Sequence, residues 1–384
     1  MTADARAPAP LTGEDAAVAA ALASLPDVTP RRLAVLVRSA PLAAVWHAVC
    51  RGRAASLPGV APVLAGCGPR TPTLGSRWQA HARSVDLAAL GERLRAGGVS
   101  VRVIDRAGYP SVLAHDPQPP AVLFVMGDPG ALDRPRVAIV GTRRCTYYGR
   151  EVAASLGRDL AAAGVAVVSG LALGIDGSAH EGALAAEVAG SAPPVGVVGS
   201  GIDVVYPRSH HLLWRRVAER GLLMTEAPLG APADPWRFPR RNRILAALAH
   251  VVVVVESHER GGSMLTVHAA LERGVPVMAV PGSVRSPSSA GTNRLLSEGV
   301  APVLDAGDVL VALSLEGAMN VPAPAPLPAA PEGPPGDVRR PAGGVAAPDD
   351  SPVGVAEPDR QREVEGDEAL VLSAVDWTPT SSEE

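Results

Sequence analysis

Five consecutive valines at 251–255 constrain this chain more than any other feature. A strand with one wet face alternates apolar and polar residues, whereas an unbroken β-branched run needs apolar cover on both faces. Comparable runs stand at 137–140, 165–169, 195–199, 222–226, 275–280 and 301–304, with helical patterns in nearly every gap. Strand–helix alternation with doubly buried strands predicts an α/β fold of about seven parallel strands, doubly wound through right-handed crossovers. Two earlier runs, 99–104 and 121–126, add strands ahead of it.

The flanks read differently. Residues 1–12 are polar and Pro/Ala-rich and predict a disordered N-terminus. Thr29 before Pro30 is an N-cap with proline at the first helical position, and Leu33, Leu36 and Val37 follow at helical spacing. Leu42, Val45, Trp46 and Val49 mark a second helix. Residues 13–80 therefore form a small helical domain ending in a Gly/Pro-rich loop at 54–80. A helix over 85–96 stops at Gly97-Gly98 and opens the main domain at 81–318. Residues 319–365 are a Pro/Ala/Gly-rich linker, and 366–384 hold a short patterned segment, too small for a domain.

Net charge over 384 residues is −4, and all 35 basic residues are arginine. Residues 136–304 carry 17 arginines against 13 acids, so a mildly basic core sits between acidic flanks, which permits a polyanionic partner. Cys50, Cys67 and Cys145 show neither metal spacing nor a pairing pattern. With no signal-peptide pattern and no apolar run of spanning length, they predict a cytoplasmic protein off the membrane.

Ligands of open α/β sheets bind beyond the carboxyl ends of the strands. The turns there hold Gly141-Thr142-Arg143-Arg144, then Ser169-Gly170 through Asp176, then Gly199-Ser200-Gly201. Further on come Phe238-Pro239-Arg240-Arg241-Asn242-Arg243, Gly261-Gly262-Ser263 and, last, Asn293-Arg294. The first strand, its glycine and the helix opening near Tyr148 have the makeup of a phosphate-holding βα unit. Glycine amides, hydroxyls and arginine forks suit repeated phosphates. Phe238 beside arginines suits a base-stacking platform for a single strand, with Pro239 holding it extended before a helix starting near Arg241. Asp176 reads as a helix N-cap, His180 as a packed core residue, and Glu226 and Glu256 as partners for arginines. No P-loop, metal cluster or nucleophile–base pair stands out, so the reading is a binding protein without cofactor or metal rather than an enzyme.

Six ordered motifs resemble the DNA-processing protein A (DprA, also called Smf) family: VAIVGTR at 137–143, SGLALGID at 169–176 with His180, GSGIDVVYP at 199–207, FPRRNR at 238–243, RGGSMLT at 260–266 and VPGSVRSPSSAGTNR at 280–294. The resemblance spans about 14–315. It implies an extended Rossmann-like domain behind a helical domain resembling a sterile-alpha-motif fold, with 366–384 a remnant of a C-terminal winged-helix-like domain. It also implies single-stranded DNA binding, homodimers, and help in loading the RecA recombinase during natural transformation. Its pocket falls on Arg143, Ser169, Gly170, Phe238, Arg241, Asn242, Arg243, Gly262 and Ser263; Arg240, Asn293 and Arg294 complete the DNA-binding candidates. Leu173 stands where the family usually carries a basic residue, with Arg144 or Arg240 as compensation.

The competing reading is a nucleoside-monophosphate phosphoribohydrolase of the related Rossmann group. Its PGGxGTxxE loop needs a catalytic glutamate, and His268 stands there. A dinucleotide-dependent dehydrogenase would need GxGxxG and a ribose-binding acid after the second strand, and this sequence has neither.

Overall fold

The computed structural model describes residues 11–64 and 74–319. Expectations for 1–10, for the linker beyond Met319 and for the C-terminal remnant lie outside the described residues. Within the arm expected to be disordered, Leu11 packs on the core and Thr12 caps a helix.

Six helices precede the sheet: α1 (Gly13–Ala23), α2 (Pro30–Ser39), α3 (Leu42–Cys50), α4 (Val60–Leu64), α5 (Leu74–Ser84) and α6 (Leu87–Ala96). Their starts are written locally. Thr12 and Asp15 form a capping box, Thr29 caps α2 with Pro30 at its first position, and Asp86 caps α6. The stretch 54–80 is not the single loop its Gly and Pro content predicts. Leu74, Trp78 and Ala82, one turn apart, bury one face of α5, and that packing outweighs local composition.

The sheet has nine strands: β1 (Ser100–Val103), β2 (Val122–Gly127), β3 (Arg136–Val140), β4 (Ala166–Ser169), β5 (Val195–Val197), β6 (Leu222–Thr225), β7 (Val251–Val254), β8 (Val277–Ala279) and β9 (Ala301–Pro302). Their order is β1-β2-β6-β5-β4-β3-β7-β8-β9. From β6 to β9 every pairing is parallel, as the valine runs predict. β1 and β2 pair antiparallel, and β2 runs antiparallel to β6. Between β1 and β2 lies only α7 (Ser111–Ala114), too short for the crossover a parallel pair requires.

The remaining helices are α8 (Tyr147–Ala162), α9 (Ile175–Leu184), α10 (His211–Arg220), α11 (Arg237–Leu248), α12 (Met264–Leu271), α13 (Ala290–Ser297) and α14 (Ala306–Leu315). Alternate residues of β3 show the two layers. Val137 and Ile139 pack with α8, α9 and α14; Ala138 and Val140 pack with α11, α12 and α13. A third cluster joins the N-terminal helices to α10 and to Phe124 of β2. Among the described residues no single helix is long and apolar enough to cross a membrane.

Candidate nucleic-acid interface

The strand order reverses between β3 and β7, and a cleft of about 500 Å³ opens there at their carboxyl ends. Its walls come from the turns after β3 and β7 and from the first turns of α11 and α12. The sheet topology thus brings together Arg143, Phe238, Asn242, Gly262 and Ser263, which lie up to 120 residues apart in the chain.

Arg143 and Arg144 are exposed, and among the described residues neither pairs with a carboxylate. The Arg143 guanidinium lies 4.7 Å from the centre of the Phe238 ring, which tilts against Tyr206 at 5.4 Å. A ring backed by another ring and topped by a guanidinium is a rigid stacking surface. Asn242 Nδ2 donates to the Gly262 carbonyl at 3.3 Å, tying the two opposing walls together. Ser263 is buried and donates to Ser257 Oγ at 2.8 Å; the N-terminus of α12 carries no side-chain cap and faces the cleft.

Phe238 is helical rather than extended, because α11 begins at Arg237, ahead of Arg241. Proline in a first turn lacks an N–H that has no intrahelical partner anyway, so Pro239 does not delay the helix. That shift changes every residue after it. At about 100° per residue, Arg240 and Arg243 share one side and meet Glu226, Arg240 at 3.7 Å and Arg243 through a charged hydrogen bond. Arg243 also donates to the Gln118 carbonyl at 2.7 Å. Arg243 is therefore neutralised within the fold, outside the cleft lining.

Arg241 turns inward. Its guanidinium is buried, forms part of the cleft floor and donates to the Val197 carbonyl, while Nε finds no partner. Burial lowers it to about 10, so it stays charged at neutral pH. Gly170 exists to admit it, since a Cβ there would stand 2.0 Å from Nη1. Asp176 sits in the first turn of α9, but Gly174 is the N-cap, so the aspartate does not cap. Its carboxylate instead accepts the Gly170 N–H at 3.1 Å. Burial pushes its pKa up, and Arg241 opposes that. Ser169 is fully buried and donates to the Ile139 carbonyl at 2.6 Å. His180 beneath is fully buried with neither ring nitrogen partnered, and burial lowers it to about 4. Ser169, Gly170 and Arg241 thus build the support under the cleft rather than its mouth.

The phosphate-holding unit expected at β3–α8 is already occupied. Among the described residues Glu256 pairs with no arginine. Its carboxylate accepts the Thr146 N–H at 2.8 Å and the Thr146 hydroxyl at 2.6 Å, over the N-terminus of α8. Gly149 leaves room for it, since a Cβ would stand 2.4 Å from Oε2. An internal anion fills the place a dinucleotide's pyrophosphate would take.

Two further candidates on α13 have partners within the protein, Asn293 in the loop at Gly282 and Arg294 at the surface. Asn293 clasps Gly282 through both its oxygen and its nitrogen at 3.1 Å. Arg294 is held by Glu259 at 3.1 Å and Glu298 at 2.8 Å. His268 is exposed on α12 and does not line the cleft. Leu173 is exposed beyond β4. Among the described residues no three His, Cys, Asp or Glu side chains gather as a metal site. Tyr206 was legible only as part of GSGIDVVYP; the signal was an aromatic in a loop of a chain with four tyrosines and two phenylalanines.

Residues 100–314 match the profile of the family described as DNA recombination-mediator protein A. The chain is 38% identical over 216 residues to the DNA processing protein DprA of Bacillus subtilis, covering 56% of this chain and 71% of that one. It is 45% identical over 194 residues to a putative DprA of Mycobacterium tuberculosis, covering 50% and 49% respectively. The solved DprA of Streptococcus pneumoniae superposes with a TM-score of 0.63 at 27% identity, over 79% of this chain and 98% of that chain. The solved DprA of Helicobacter pylori, described by its single-stranded DNA binding mode, gives 0.51 at 30% identity, over 57% and 96%.

Proposed function

The chain belongs to the DNA recombination-mediator protein A family, and from that premise we propose that it is a DNA-processing protein of transformation and recombination that binds single-stranded DNA in the cleft between β3 and β7. The observation that carries this reading is the Arg143 guanidinium, 4.7 Å above the Phe238 ring and without a carboxylate partner among the described residues. A guanidinium takes phosphate and a ring takes a base face, and only unpaired bases offer that face. The N-terminus of α12, whose first N–H groups already donate to the Gly261, Gly262 and Ser263 carbonyls, adds only its dipole to the opposite wall. The single-stranded DNA binding named for the Helicobacter relative supports the same ligand.

On this reading the helical region at 13–80 and the Rossmann-like domain at 81–318 form the DNA-binding part. The protein works in the cytoplasm as a homodimer, shields an incoming strand and passes it to a RecA-type recombinase, with no metal, cofactor or bond-making step. Binding to labelled single- and double-stranded oligonucleotides tests this. Phe238→Ala costs roughly 1–3 kcal/mol of single-strand affinity with little effect on duplex. If the variant melts earlier but keeps its affinity per folded molecule, Phe238 is a core residue and the reading fails.

A further inference from the structure

We propose that Trp236, with the guanidinium groups of Arg237 and Arg240, forms a second nucleotide subsite, so that one strand runs from the Phe238 cleft across the first turn of α11 into the groove between the sheet and the N-terminal helices. This inference rests on the reading of the Phe238 cleft given above.

Trp46, Trp78 and Trp214 lie in the core, whereas Trp236 is 50% exposed. Leaving so large a ring in water is unfavourable unless something covers it. The Arg237 guanidinium lies 4.3 Å and that of Arg240 5.0 Å from its centre. Trp236 lines a groove of about 450 Å³, whose far wall is the turn between α1 and α2, with Thr29 and Arg32.

Arg237 donates to Asp234 at 3.2 Å, whereas the other charges there are more loosely held. Arg240 has Glu226 at 3.7 Å, and Arg243 already engages that carboxylate. Arg32 donates to the carbonyls of Val63 and Asp27, both at 2.9 Å, and among the described residues pairs with no carboxylate. The first-turn N–H groups of Arg237 and Phe238 already donate to the Asp234 and Pro235 carbonyls, so side chains supply the attraction for phosphate. Arg241 lines both this groove and the Phe238 cleft, and the two rings are two residues apart. Asp27 and Glu226 keep the groove only weakly basic, so stacking dominates over charge here.

The test uses the full chain and fluorescent oligothymidylates of about four and about sixteen nucleotides, the ends of the usual site-size range. Trp236→Ala weakens binding of the long strand about fivefold or more at every salt concentration, leaves the short strand unchanged, and Trp236→Phe restores most of the loss. The long strand also quenches tryptophan fluorescence of the unaltered protein more than the short one does, and Trp236→Phe abolishes that excess. Trp236→Ala with unchanged long-strand affinity, equal losses on both strands, or equal quenching by both overturns the second subsite. If Phe238→Ala still weakens both strands, the cleft reading survives that failure. If Phe238→Ala has no effect either, both fall.

Discussion

At the β3–α8 turn side chains, Thr146 and Glu256, close the helix N-terminus, and at the β7–α12 turn only backbone carbonyls take up the first N–H groups, beside the cleft. Both turns follow a buried strand; the first begins with Gly141-Thr142, whereas the second reaches Gly261-Gly262-Ser263 only after six intervening residues. In the first, Thr146 accepts the Gly149 N–H at 3.1 Å and Glu256 sits above Thr146. In the second, Ser263 turns its hydroxyl to Ser257, and a Cβ on Gly262 would meet nothing within 4 Å. A helix N-terminus attracts negative charge without regard to its source. Where an internal carboxylate reaches it, the end becomes structure; at α12 no carboxylate offsets the dipole, and that end lines the cleft.

The largest effect expected from breaking this contrast is Glu256→Ala. It leaves the Thr146 N–H and hydroxyl without their acceptor and removes the charge from the end of α8, at a cost of roughly 3 kcal/mol in denaturant unfolding. A loss below about 1 kcal/mol would mean the α8 end needs its carboxylate no more than that of α12 does.

The support under the cleft has its own signature in pH. His180 titrates near 4 in the fold against about 6.5 unfolded, so the unfolded chain binds the extra proton between those values. Stability from this group is present above pH 6.5 and falls as pH drops toward 4, by roughly 2 kcal/mol at pH 5. Unfolding curves at pH 7 and pH 5 check this: His180→Gln should flatten the difference, and an unchanged difference would mean His180 is accessible to solvent.

Gly262→Asp sharpens the contrast from the other side. The new carboxylate stands in free space on the cleft wall at the start of α12, so the thermal midpoint holds while single-strand affinity falls about tenfold, or ~1.4 kcal/mol. Unaltered affinity would move the strand away from this wall.

Reading FPRRNR as one basic cluster located the cleft but not the division of labour inside it. Consecutive residues of a helix point about 100° apart, so Arg240 and Arg243 meet Glu226, Arg241 enters the core and Asn242 reaches Gly262. That pattern becomes readable only once the helix is known to start at Arg237, and Pro239 argues locally for a later start. The valine runs needed no such knowledge, because an apolar strand buried on both faces carries its environment in its own composition. Arg143 was legible for a related reason: it follows the first strand directly, and its turn contains no acid to claim it. Glu256 was not, since its partner Thr146 lies 110 residues away and only the pairing of β3 with β7 brings them together.

The central claim is that Arg143 meets DNA phosphate while Arg241, equally charged and in the same cleft, holds the fold. Measuring single-strand affinity against salt for Arg143→Ala and Arg241→Ala, each beside a thermal melt, tests it most directly. Arg143→Ala is expected to keep its melting temperature and to flatten the slope of log affinity against log salt by about 0.7, one phosphate contact on a single strand. Arg241→Ala is expected to melt earlier, by roughly 3 kcal/mol, with the slope per folded molecule unchanged. The reverse assignment, with Arg241→Ala stable and flattened in slope and Arg143→Ala unaltered in binding, would contradict it.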